Sequence, residues 1–333
     1  TVYEHIEINN RRTWYLVALF PASLLIMLLL AIFAVVVGAQ SPELVAMGQE
    51  YFFEYFGAST LSATLQATLG FTAIAFVPMV IFAILWMGIS YFLGDSMMLG
   101  FADAQEMDDK NPQFKYVYKA VENVALAAGL PTPKVYIIDD DSLNAFATGR
   151  DPNSASVALT TGIIKKLDRL ELEGVIAHEM AHIGNRDIRL DMLIITGLGV
   201  FGFMAELLSH SWRFQSSSDN KNSNSGALHL LIFAVWAVLM LFNFLIAPLI
   251  NFAISRAREY AADATGALIT RNPKALASAL EKISQDARVE VLDDSKSMSL
   301  VCIASPLEDT SRAFSGFDTH PPINERVARL RNM

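Results

Sequence analysis

Three stretches of this chain carry no charged side chain: Trp14–Gly38, Tyr55–Gly94 and Gly226–Ser255. Each is long enough for the roughly 20-residue helix that spans a hydrocarbon core. The pattern predicts membrane helices at about 14–38, with Pro21 near its start, at about 69–93, with Pro78 inside it, and at 227–254. A weaker segment, Met192–Leu208, follows Asp191 and contains Glu206, and reads as a short, tilted or partly protein-buried helix. The first run is too long for a cleavable signal peptide and is expected to be retained. The expectation is therefore about four hydrophobic helices in two hairpins. The second hairpin carries a polar loop at 209–226 whose SSSDNKNSNS centre is expected to be disordered.

Between and after the hairpins the periodicity changes. The N-terminal hairpin occupies 1–94 and the second one 192–254, which leaves soluble material at 95–191 and 255–333. Asn111–Gly129 predicts an amphipathic helix closed by Gly129 and Pro131. Strands are predicted at Lys134–Ile138 and Ser156–Thr160, with a third around Leu300–Ile303. Leu167–Arg186 predicts a helix with apolar positions at Leu172, Val175, Ile176 and Ile183. The last part predicts a helix continuing from the fourth segment, another over Asn272–Gln285, and a terminal one from Pro322. Neither soluble part can bury a full core alone, so the two must dock. The expected fold is mainly α with a small β-sheet, carried by a polytopic membrane protein.

Composition agrees with that pattern. Of the 333 residues, 53% are hydrophobic and 18% charged, against about 25% charged in soluble domains; mean hydropathy is +0.36. Basic residues set an orientation. Arg11 and Arg12 precede the first segment, the connection 39–67 has no Lys or Arg, and Lys110, Lys115, Lys119, Lys134, Lys165 and Lys166 follow the second. The N-terminus and both soluble parts are thus expected on the cytoplasmic side. A net charge of −9 excludes a basic nucleic-acid-binding surface. Cys302 is the only cysteine, which excludes an intrachain disulfide.

The chemistry lies in His178-Glu179-Met180-Ala181-His182. On a helix, residues four apart share one face, so His178 and His182 can bind one cation. Glu179 can reach a water on that cation without ligating it. Zinc brings such a water to a pKa of roughly 7, and a carboxylate takes the proton as the water attacks a carbonyl. A catalytic zinc needs a third protein ligand. His5, His210 and His229 lie far away or in the loop and segment four; Glu259 fits better, because Asp263 stands one turn further on the same face. Asp263 could accept the other ring N–H of His178 or His182. The alternative for Glu259 and Asp263 is a charged helix face paired with Arg256 and Arg258. Together these residues predict one Zn2+ per chain, held by His178, His182 and Glu259.

These motifs, with Thr319-His320-Pro321-Pro322 and Arg326 and with Asn144-Ala145-Phe146-Ala147-Thr148-Gly149, resemble the HtpX-type integral-membrane zinc metalloproteases, a family that also contains the CaaX-prenyl endoproteases. The resemblance covers nearly the whole chain, including the order of hydrophobic segments. It implies a gluzincin-like domain at the cytoplasmic face of a bacterial inner membrane. It also implies polypeptide substrates, namely misfolded or damaged membrane proteins. By resemblance Glu179 is the general base, His320 stabilises the oxyanion, and Arg326 supports the segment carrying His320. The stretch before His320 is longer and more polar than that family leads one to expect, which bears on substrate preference.

Other readings remain beside it. Val157-Ala158-Leu159 could belong to an edge strand that pairs with an extended substrate, or equally to an inner strand of its own sheet; Asn144 could hold a backbone near the cleft. An intramembrane metalloprotease would place the motif in hydrocarbon, yet Glu171, Glu173, Arg186 and Asp187 surround it. A non-enzymatic scaffold with a structural metal would want four ligands, mostly Cys.

Overall fold

The computed structural model describes residues 2–39, 42–57, 61–108, 112, 114–196, 256–285, 302–303 and 321–333. The chain divides into two compact units. One comprises Thr1–Trp14, Ile89–Thr196 and Leu249–Met333, the other Tyr15–Gly88 and Gly197–Pro248. The described residues are mainly helical with one small mixed sheet.

Helices α1 (Val2–Ala39), α2 (Pro42–Phe56) and α3 (Ala63–Phe101) come first. Among the described residues one helix, α3, is long and apolar enough to cross a membrane, with a mean hydropathy of 2.3 in its most apolar window; α1 holds a shorter apolar stretch, Leu24–Phe33. The expected count of four is thus not reached among the described residues, and segment four and most of segment three lie outside them. In the second unit α2 packs on α3 through Gly48 against Ala67 and through Tyr51 edge-on to Phe71. Helix α2 lies within 39–67, a stretch whose sequence pattern predicts only a connection.

The first unit contains β1 (Gln105–Glu106), α4 (Lys115–Ala128), β2 (Lys134–Ile138), β3 (Ala145–Thr148), β4 (Ser156–Thr160), α5 (Thr161–Lys166) and α6 (Arg169–Gly184). Next come α7, helical over 187–196, α8 (Arg256–Thr270), α9 (Pro273–Ile283) and α10 (Ile323–Arg331). The strand order is β1-β2-β4-β3, with β4 parallel to β2 and antiparallel to β3. One core joins Val121 of α4, Val157 and Leu159 of β4, Val175, Ile176 and Met180 of α6, and Leu276 and Leu280 of α9.

Local signals explain the boundaries. Helix α4 begins later than Asn111, after Phe114, which gives no side-chain cap; it ends at Gly129, whose φ of 68° lets its N–H and that of Leu130 close the last turn. Helix α6 opens with a capping box, in which Asp168 accepts from the Glu171 N–H and Glu171 accepts from the Asp168 N–H. Glu171 is buried and also accepts from Ser278 and Lys282 of α9 at 2.6 Å each. That fixes the start of the motif helix to α9.

Two features set the distance between α6 and its neighbours. At Gly266 of α8 an added Cβ would lie 3.0 Å from the His178 backbone nitrogen and 3.2 Å from its Cα, so a larger residue would require α6 and α8 to give by a few tenths of an ångström. Past α6 the chain bends at Asn185 and Arg186, with Arg186 at φ 60°, a conformation that costs a non-glycine residue about 1–3 kcal/mol. The bend starts α7, whose Met192, Leu193, Ile194 and Ile195 are all buried. Segment three therefore begins inside protein.

Candidate metal centre

His178 and His182 occupy successive turns of α6, with ring planes at 86° and Nε2 atoms 3.2 Å apart. Each ring is oriented from behind by a carboxylate. His178 Nδ1 lies 3.0 Å from Asp263 Oδ1, and His182 Nδ1 lies 2.8 Å from Asp187 Oδ2. An ionised carboxylate only accepts, so the proton belongs on each Nδ1 and the two Nε2 atoms converge on one point. Glu259 of α8 completes the convergence, with Oε1 3.6 Å from His182 Nε2 and Oε2 3.7 Å from His178 Nε2. One donor atom from each of the three residues lies within 4.8 Å of the others.

Two ring lone pairs and a carboxylate aimed at one buried point repel each other unless a positive charge sits among them. Without a metal that charge is shared between a proton and Arg326, whose Nη1 lies 3.5 Å from Glu259 Oε2 and Nη2 3.5 Å from His178 Nε2. Burial opposes protonation of His182, but the bond to Asp187 and the charges of Glu259, Asp187 and Glu179 hold its pKa up at about 9. Burial lowers the pKa of His178. A divalent cation would displace the proton, and a two-imidazole, one-carboxylate set suits zinc. The residues fit the metal.

Glu179 is 2% exposed. Burial raises its pKa to about 7, with His182 pulling the other way and the Ala147 backbone N–H of β3 donating to its carboxylate. Asp263 is buried as well, yet it is held at about 2, because the Arg326 charge and hydrogen bonds outweigh burial. Arg326, fully buried on α10, donates from Nε and Nη2 to the two Asp263 oxygens at 2.8 Å each and from Nη1 to the Ile303 carbonyl at 2.9 Å. Its Nη1 also stands 3.5 Å from Glu259 Oε2.

The fold thus brings His178, Glu179, His182, Glu259, Asp263 and Arg326 to one place. His320 lies outside the described residues. Asp187 escaped the sequence reading, which had a single carboxylate for both rings; the pointer to it was the Gly184-Asn185 turn, which leads Asp187 back under His182. Asn144 is buried just before β3. Its N–H donates to Thr160 Oγ1, and its Oδ1 accepts from the Ala145 N–H.

Two expectations need correction. Strand β4 lies between β2 and β3, so Val157, Ala158 and Leu159 sit on an inner strand paired on both sides, and Val157 and Leu159 belong to the core; among the described strands the edges are β1 and β3. Of the strand expected at Leu300–Ile303, Leu300 and Val301 lie outside the described residues, and Cys302 and Ile303 form a bend whose Ile303 N–H donates to the Ala145 carbonyl at 3.0 Å. Burial pushes the Cys302 thiol pKa up, which keeps the thiol protonated and unreactive.

The model of Peptidase family M48 matches residues 111–333, a stretch that carries every one of these side chains. The chain belongs to peptidase family M48. It is a metalloendopeptidase, and its relatives agree over nearly the full length. A Protease HtpX homolog of Dictyoglomus thermophilum is 35% identical over 336 residues, covering 100% of this chain and 95% of that protein. Another, from Bacteroides fragilis, is 36% identical over 328 residues, covering 97% and 95%. A third, from Leuconostoc citreum, is 44% identical over 220 residues, covering 65% and 72%. Among solved structures, the crystal structure of S. mikatae Ste24p has 18% sequence identity and a TM-score of 0.43, covering 88% of this chain and 63% of that one.

Proposed function

We propose that this membrane-bound M48 metalloendopeptidase cleaves misfolded or damaged membrane proteins at the cytoplasmic face of a bacterial inner membrane, with one Zn2+ held by His178, His182 and Glu259. The observation that carries the site is the convergence of two imidazole Nε2 atoms and a carboxylate within 4.8 Å, directly beside a buried glutamate. When bound, zinc supplies Lewis acidity and a water acidic near pH 7.

The residues of the chain do the rest. Glu179, buried directly beside the ligands, takes a proton from the attacking water and returns it to the leaving amine, as a positioned carboxylate can. Asp263 and Asp187 keep each imidazole turned with Nε2 inward. Arg326 holds Asp263 in place and, through the Ile303 carbonyl, ties α10 to the cleft. By the family resemblance His320 donates to the developing oxyanion. Basic residues flanking the hydrophobic segments support the cytoplasmic side, and α3 supports attachment to a bilayer.

Purified full-length protein in detergent, assayed on an unfolded polypeptide with and without chelator, tests the chemistry. Glu179→Gln is expected to keep the metal and lose cleavage by about 10²–10⁴-fold; cleavage at the parental rate would overturn the general-base role. Membrane polypeptides trapped on the Glu179→Gln protein in cells would test the substrate class, and accessibility labelling of the 209–226 loop would test orientation.

A further inference from the structure

We infer that Arg258 is a positioning residue that locks the third ligand to the histidine helix, at the neck where the hydrophobic insert leaves and rejoins the catalytic unit. The inference rests on the ligand assignment above.

Arg258 directly precedes Glu259, yet it faces another way. It is buried, at 6% exposure, and its guanidinium spans two carboxylates: Nη2 donates to Asp191 Oδ1 at 2.8 Å and Nη1 to Asp187 Oδ1 at 3.4 Å. Those acids are four residues apart on α7 and therefore share one face. The second oxygen of Asp187 is the one that meets His182 Nδ1 at 2.8 Å. One side chain thus touches the support of the second histidine while its backbone neighbour is the third ligand.

Position in the chain gives this bridge its meaning. Asp191 is the last charged residue before hydrophobic segment three, and Arg258 follows the uncharged run 226–255 by a single turn. The two ligand helices are separated in sequence by that whole insert. Arg258 joins the residues that flank it, so a fork of hydrogen bonds adds to the α6–α8 packing at Gly266 in holding Glu259 opposite His182. A guanidinium is suited to this: it is planar and always charged, and it presents donors to two acceptors at once. Removing it would leave two buried acids facing each other and take away one of the groups that hold Asp187 behind His182.

The test is metal affinity in the full-length detergent-solubilised protein, measured by competition with a chromophoric zinc chelator, beside the melting temperature of the chelated protein. Because Arg258→Met alone strands two acids and could prevent folding, the main variant is Arg258→Met with Asp191→Asn, which removes one charge of each sign. The expected result is a zinc dissociation constant raised about 10–100-fold, the usual scale for loss of a group that orients a ligand, with the melting temperature of the chelated protein little changed. Asp191→Asn alone should give a smaller rise, since Arg258 keeps Asp187. An unchanged dissociation constant in the double variant overturns the inference, as does a rise matched by an equal loss of metal-free stability. Glu259→Ala separates the two readings. If it loses zinc while the Arg258 variants do not, only the clamp fails; if it binds zinc as the parent does, the ligand assignment fails and takes the clamp with it.

Discussion

Arg326 grips both oxygens of Asp263 at 2.8 Å each, while one of those oxygens stands 3.0 Å from His178. The pair is buried, so its worth lies in mutual compensation. Arg326→Met would keep most of the side-chain volume and strand the carboxylate, a change expected to destabilise by about 3–5 kcal/mol. Thermal unfolding of the chelated protein measures it. The folded pKa of Asp263, about 2 against an ordinary 3.8, sets the sign of its pH effect. Its stabilisation is fully present above the unfolded value and is lost as pH falls through the folded one. In the Arg326→Met protein that acid-sensitive part should be missing.

Gly266→Ala would put a methyl group 3.0–3.2 Å from the backbone of Ala177 and His178, against atoms that cannot rotate away. Overpacking of this kind costs about 1–3 kcal/mol. Because the strain falls between α6 and α8, zinc affinity should drop along with the melting temperature, as chelator competition would report. An unchanged affinity would mean that the helices separate without moving Glu259.

Glu171 offers a pH prediction away from the metal. Burial pushes its pKa up, but the hydrogen bonds from Lys282, Ser278 and Asp168 outweigh this and bring it below 4.5. A depressed carboxylate stabilises the folded state above its unfolded pKa, and this contribution disappears as pH falls through the folded value. Glu171→Gln should therefore lower the melting temperature at pH 7 and narrow the gap to the parent as the solution is acidified below about pH 4. A gap that stays constant with pH would show that the packing of the side chain, not its charge, matters.

Asp187→Asn removes the charge that holds His182 and gives the ring a different partner at Nδ1. The expected outcome is zinc affinity about 10–100-fold weaker, together with a lower melting temperature of the chelated protein, because buried Arg258 and His182 both lose an acidic partner. Isothermal competition with a chelator distinguishes this from a folding defect.

How much of this could be read from the sequence depended on whether a signal was local. The i, i+4 histidines and the Gly129 stop act within one or two turns, so they are legible from spacing alone. Asp187 acts across a bend whose direction is set by the positive φ of Arg186, which no hydrophobic periodicity encodes. The sheet was harder. Strands β3 and β4 are buried along their full length, so they show no alternation, and which of them is the edge follows from the order β1-β2-β4-β3, a property of the assembled unit. Strand β1 has two residues and is too short to carry a pattern. Cys302 and Ile303 sit in an apolar run that suggests a strand; this described pair bends, and its Ile303 N–H donates to the Ala145 carbonyl beside β3.

The 2.8 Å contact between Asp191 and Arg258 also bears on modularity. The 197–255 stretch follows α7 and precedes α8, the two helices that this contact ties together. Insertions or deletions in the polar 209–226 stretch should accordingly be absorbed at that neck, leaving the donor triangle indifferent to the size of what lies beyond it.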